Sequence, residues 1–159
     1  LPNFDIRISY AVPRAGRPSA VSLRKWAAAA LQSHAQQGAS LAICLVDGEK
    51  GRALNRLYRH KDYATNVLSF PADLPECIPV PLLGDIVLCA PIIEREACEQ
   101  GKTAKAHYAH LTVHGVLHLL GWDHENDDQA RAMEQQEREI LARLGYADPY
   151  ADLSLHLNL

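Results

Sequence analysis

Phe4-Asp5-Ile6-Arg7-Ile8 alternates apolar and polar residues, the pattern of a strand with one buried face. Pro13, Gly16 and Pro18 mark a loop, after which Leu23, Trp26, Ala27, Ala30 and Leu31 recur at helical spacing. Ser22 is the expected N-cap of that helix and Gly38 its stop. Ser40 to Val46 is a near-continuous apolar run whose length suits a strand covered on both faces. A helix is expected from Gly48 to about Arg59, with Ala53, Leu54, Leu57 and Tyr58 turned inward. Asn66 to Phe70 reads as a short strand ended by Pro71, and the four prolines from Pro71 to Pro81 demand a loop. Gly84 to Cys89 is a fourth strand. Pro91 then opens a helix toward Gly101, at a position where its missing N–H has no helical partner to lose.

Two longer helices follow. One runs from about Thr103 to Leu120 and is closed by Gly121. The other starts at Asn126 or Asp127, presents Ala130, Met133, Ile140 and Leu141 inward, and stops at Gly145. This order of elements predicts a single α+β (mixed α/β) domain over residues 1–159, with about four strands packed against about five helices. In the tail, from about residue 146 to 159, Leu153, Leu155, Leu157 and Leu159 alternate with other residues. That pattern is open to a docked strand, a partner contact or a mobile terminus.

Composition narrows the class without naming a function. With 159 residues, 48% of them apolar and 22% charged, the chain has the balance of a globular domain rather than a disordered one. No apolar run reaches the roughly 18 residues a transmembrane helix needs. Leu1 to Tyr10 shows no basic segment leading into a long apolar stretch, so no secretion signal is expected; the missing initiator Met reads as trimming of the first residues. Cys44, Cys77, Cys89 and Cys98 lack the close pairing of a thiolate metal site or redox motif and read mostly as small buried hydrophobes. A cytoplasmic location is the corresponding expectation.

The formal net charge of −3 gives no overall attraction for nucleic acid, but the charges are unevenly placed. Lys50, Arg52, Arg56, Arg59, His60 and Lys61 cluster in one stretch, while Glu125, Asp127, Asp128, Glu134, Glu137 and Glu139 gather near the C-terminus. One reading is an anion-binding face on one side; the other is a pair of solvated helix faces.

The candidate chemistry lies in His114-Gly115-Val116-Leu117-His118-Leu119-Leu120-Gly121-Trp122-Asp123-His124. Residues four apart on a helix project from one face, so the imidazoles of His114 and His118 can share one ion. Gly121 can end the helix in a left-handed conformation and let the chain bring His124 to the same ion. Three imidazoles leave the fourth tetrahedral position of zinc to water, the arrangement of a catalytic rather than a structural site. Asp123 is a candidate to orient a ligand, equally readable as a surface residue. His110, one turn before His114, lines the site or sits at the edge of the core. Zinc proteases of the His-Glu-x-x-His type use the Glu as general base; here that position is Gly115, which disfavours peptide hydrolysis.

The histidine stretch resembles the signature of the YbeY family of bacterial metal-dependent endoribonucleases. So do Asn55 to Pro71, containing Arg59-His60-Lys61-Asp62, and Leu83-Gly84-Asp85-Ile86. The resemblance implies a cytoplasmic, single-strand-specific endoribonuclease with one zinc on His114, His118 and His124 and a functional arginine at Arg59. It further implies RNA as substrate, maturation of the 3′ end of small-subunit ribosomal RNA, quality control of ribosomes, and the small ribosomal subunit with its proteins as partners. A guanidinium suits phosphate, and Lys61 is a second candidate contact. Two other readings stand beside this one: a zinc hydrolase of another substrate such as a peptide, and a non-catalytic ribosome-assembly protein with a structural zinc.

Overall fold

The computed structural model describes residues 3–32, 34, 38–72 and 82–151. The alternating Leu residues of the tail, and Cys77, lie outside them. The chain order is β1 (Asp5–Tyr10), α1 (Ala20–Leu31), β2 (Ser40–Val46), α2 (Gly48–Arg59), β3 (Val67–Pro71), β4 (Leu82–Cys89), α3 (Ala90–Glu99), α4 (Ala104–Leu119) and α5 (Asp127–Leu144). The predicted α+β architecture of four strands and five helices is therefore present.

The strands lie in the order β1-β2-β4-β3. β1, β2 and β4 run parallel, with Ile8 opposite Ile43 and Ile43 opposite Ile86. β3 pairs antiparallel on the outer edge of β4, with Leu68 opposite Val87. Alternation along the central strands sorts their side chains onto two faces. Leu41, Ile43, Leu45, Ile86 and Leu88 join the main core with α1, α4 and α5. Val46, Val87 and Cys89 join a smaller cluster with Leu54 of α2 on the other face. This explains why β2 reads as an unbroken apolar run: both of its faces are covered.

Local chemistry sets the helix ends, with two departures from expectation. Helix α1 begins earlier than predicted, because Ser19 rather than Ser22 is the N-cap; the Ser19 hydroxyl accepts from the Ser22 amide at 3.1 Å. The helix also ends at Leu31, well short of Gly38. In α2 the inward residues are Gly51, Leu54 and Asn55; of the expected ones Ala53 is exposed, as are Leu57 and Tyr58 at 66% and 59%. The helix sits close to β4 there, since a Cβ on Gly51 would lie 3.1 Å from the Cys89 Sγ. The close side of α2 is thus set by a small residue and an amide, which hydrophobic spacing does not detect.

Candidate metal centre

Helix α4 carries two of the three histidines and is the most enclosed helix of the fold. Its residues from His107 to Val113 are buried, as are Gly115, Val116 and Leu117; His114 and His118 are half-buried at its one open face. Gly115 is packed onto the sheet: a Cβ there would meet Ile86 Cγ2 at 3.1 Å and Ser69 Oγ at 3.3 Å. The position that carries the general base in His-Glu-x-x-His proteases therefore faces the sheet at close range here.

The helix closes as its sequence predicts. Gly121 adopts φ +98°, its amide donates to the His118 carbonyl, and the Trp122 amide reaches back to the Leu117 carbonyl, both at 3.0 Å. This left-handed cap reverses the chain and delivers His124. One ring nitrogen from each of His114, His118 and His124 then lies within 4.8 Å of the other two. Ring centroids are 4.6 Å apart for His114 and His118, 5.0 Å for His118 and His124, and 5.8 Å for His114 and His124.

The surroundings suit a cation. Burial lowers the pKa of His118, and the nearby His114 and His124 lower it further, so the ring is held in the neutral form that metals bind. The Nδ1 of His114 donates to Glu137 Oε1 at 2.5 Å, which leaves Nε2 as the nitrogen available to an ion. Asp123, the carboxylate singled out in the sequence, accepts from the His124 backbone amide at 2.7 Å and stands 3.9 Å from that residue's ring Nδ1. A second carboxylate, Glu137 on α5, is the one hydrogen-bonded to a ring of the trio among the described residues.

A cleft of about 680 Å³ opens over the three imidazoles. Arg59, Lys61 and Asp123 line it together with the three histidines. Arg59 ends α2, which His60 closes in a left-handed conformation at φ +60°. The Arg59 guanidinium donates to the Ser69 carbonyl at 2.6 Å and lies 5.7 Å from the Phe70 ring centroid. The hydroxyl of the same Ser69 donates to the Gly115 carbonyl at 3.3 Å, one residue after His114. Strand β3 thus links the arginine to the histidine helix through one residue.

Comparisons with known proteins identify the family. The family model described as Endoribonuclease YbeY matches residues 17–145. The chain belongs to the YbeY family. A Stenotrophomonas maltophilia (strain R551-3) protein named Endoribonuclease YbeY is 68% identical over 152 residues, covering 93% of this chain and 94% of its own length. A Xanthomonas axonopodis pv. citri (strain 306) protein of the same name is 66% identical over the same shares. The fold is also that of a Thermotoga maritima protein solved in solution, at a TM-score of 0.56 and 23% identity over 92% of this chain and 99% of that one.

Three residues at this site were given no individual role by the sequence reading. Ser69 gave no signal, since its role depends on where β3 lies. Asn55 is buried, and its side-chain amide donates to the Tyr63 carbonyl at 2.8 Å, fixing the loop that leads from Arg59 back to the sheet. Glu137 did leave a trace. It stands four residues after Met133 and three before Ile140, inside the apolar stripe of α5, where a carboxylate is out of place.

Proposed function

We propose that this chain is a zinc-dependent, single-strand-specific endoribonuclease that matures the 3′ end of small-subunit ribosomal RNA and takes part in ribosome quality control. It works as a single domain over residues 1–159, in the cytoplasm and on the small ribosomal subunit with its associated proteins. The observation that carries this reading is the placement of Arg59 and the three histidines in one cleft, joined through Ser69. The names of the relatives supply the substrate class. No helix among the described residues is long and apolar enough to cross a membrane.

Hydrolysis of a phosphodiester needs a water made nucleophilic and a way to offset charge growing on the phosphoryl oxygens. His114, His118 and His124 would hold the ion; imidazole donors suit zinc, and suit nickel and iron as well. A divalent ion bound there would supply Lewis acidity, bringing the pKa of water down toward about 7. Everything else falls to side chains of the protein. Arg59 presents a planar fork that matches a phosphoryl group, with its direction set by the Ser69 carbonyl. Lys61 adds a second positive charge along the strand path.

The test is to incubate metal-loaded protein with single-stranded RNA, duplex RNA and casein, alongside Arg59→Ala and His114→Ala. Cleavage of single-stranded RNA alone, lost in both variants, is the expected result. Casein cleaved with RNA intact would point to a peptide hydrolase. If neither polymer is cut while the protein still binds small ribosomal subunits, the assembly reading takes over.

A further inference from the structure

Glu137 is the only acidic residue among the described residues that is fully buried, at 0% exposure. Its Oε1 takes the 2.5 Å hydrogen bond from His114 Nδ1, while its Oε2 accepts from the Tyr150 hydroxyl and lies 3.4 Å from His110 Nε2. No Lys or Arg among the described residues pairs with it; Arg138, next in sequence, turns instead to Asp148 at 3.2 Å. A buried carboxylate without a cationic partner is costly unless positive charge reaches it by another route. Two rings adjoin it, His110 at 3.4 Å and His114 at 2.5 Å, and the shorter route runs through His114. With Nδ1–H given to the carboxylate, the lone pair resides on Nε2, and a cation bound there is balanced across the imidazole by Glu137.

Tyr150 is itself firmly placed. Lys102 donates to the Pro149 carbonyl at 3.3 Å, the Tyr150 amide donates to Asp148 Oδ1 at 2.8 Å, and the Arg138 guanidinium lies 5.3 Å from the Tyr150 ring centroid. The segment after α5 thus presses a hydroxyl onto the carboxylate from the side away from His114.

We propose that Glu137 is a positioning residue of the metal centre, fixing His114 in its Nδ1–H tautomer, and that Tyr150 locks Glu137 so that the C-terminal segment sets metal affinity. This assignment rests on the reading of the three histidines as a metal site.

The experiment titrates Zn2+ into the full chain in competition with a chromophoric chelator, comparing wild type with Glu137→Gln, Glu137→Ala and Tyr150→Phe. Imidazole 15N shifts of the metal-free wild type report the tautomer of His114. Expected are an Nδ1–H tautomer at His114 and a loss of Zn2+ affinity of about 10- to 100-fold in Glu137→Ala. Glu137→Gln, which keeps an acceptor but not the charge, falls between alanine and wild type; Tyr150→Phe loses about three- to tenfold. An Nε2–H tautomer, or Glu137→Gln and Tyr150→Phe affinities within twofold of wild type, would overturn the assignment. If Glu137→Ala does not fold, the tautomer and Tyr150→Phe still decide. RNA cleavage separates the two readings. Affinity losses in the variants, beside a wild type that cuts no RNA, would uphold this role and sink the nuclease. Unchanged affinities in a chain that cuts RNA would do the reverse.

Discussion

Helix α4 is enclosed by the sheet and by α1, α3 and α5, whereas α2 buries only Gly51 and Asn55 and leaves Leu57 and Tyr58 largely in solvent. Both deliver residues to the same cleft, yet they are held in opposite ways. His114 and His118 ride on a helix with almost no freedom to shift, and His114 is pinned further by a buried carboxylate. Arg59 ends an exposed helix, and the hydrogen bond that aims its guanidinium goes to the Ser69 carbonyl. The division suits the two tasks proposed for them. Shared ligation of one ion tolerates errors of only about 0.2 Å, which needs a packed support. A contact to a long, variable polymer needs reach and solvent access, which a surface helix provides.

The most damaging test of this contrast is on the rigid side. His118→Ala should lower metal affinity by more than the roughly 100-fold that loss of an outer partner produces, and bring RNA cleavage to background. Dialysis followed by elemental analysis measures the first, and retention of a stoichiometric ion would refute it. On the exposed side, Arg59→Ala should cut kcat/KM for RNA by about 10²- to 10³-fold, as loss of a transition-state donor does. Its stability should stay within about 0.5 kcal/mol of wild type, since the residue is at the surface. Arg59→Lys should recover little, because an ammonium cannot reproduce the fork. A large drop in Tm for Arg59→Ala would show that the arginine braces β3.

Gly115→Ala probes the packing that keeps α4 fixed. The new methyl would crowd Ile86 at 3.1 and 3.2 Å and Ser69 at 3.3 Å, and buried Ile86 has little room to yield. Overpacking of about 2–3 kcal/mol, less about 1 kcal/mol that alanine gains over glycine in a helix, leaves a net cost of about 1–2 kcal/mol. For a domain of this size that is a fall in Tm of about 2–8 °C, read by calorimetry. Adding Ile86→Val should recover part of it; an unchanged Tm in the single variant would mean that α4 is looser than its burial implies.

The same contrast explains what the sequence made legible. Strands and helices were readable because alternating and helical spacings report burial directly, and the three histidines because their spacing and the Gly121 cap are local. Leu57 and Tyr58 misled because a helix lying close to a sheet face can turn its small residue inward, as Gly51 does against Cys89. Glu137 was hidden in an acidic run that reads as solvated, and only its place in the stripe with Met133 and Ile140 marked it as inward. The links through Ser69 and Tyr150 depend on strand order and on how the chain returns after α5, and no local pattern encodes either.

Burial should also make α4 the acid-sensitive element. His107 is buried, and this lowers its pKa below the ordinary 6.5. The hydrogen bond with Glu96 on α3 opposes the shift, while Lys102 before α4 and His110 on α4 add to it. A lowered pKa means that the unfolded chain binds a proton more readily than the folded one. The contribution to stability is then full above pH 6.5 and declines as pH falls from there through the folded-state value. His107→Gln should flatten the decline in Tm below pH 6.5 relative to wild type, measured in chelator so that the metal site contributes equally to both. An identical slope in the two proteins would remove His107 as the cause.

The smallest effect is expected on the open face of α2. Leu57→Ser replaces a side chain that is 66% exposed, so little apolar area returns to water on unfolding. The change in stability should be within about 0.5 kcal/mol, a Tm shift of under about 2 °C. Hydrophobic spacing alone would place Leu57 in the core, where its truncation would cost several-fold more. A drop of that larger size would mean that the face of α2 is covered in solution, and a Tm that rises with protein concentration would identify the cover as a second copy of the chain. A negligible drop keeps α2 what its burial makes it, a solvated arm whose fixed end is Arg59.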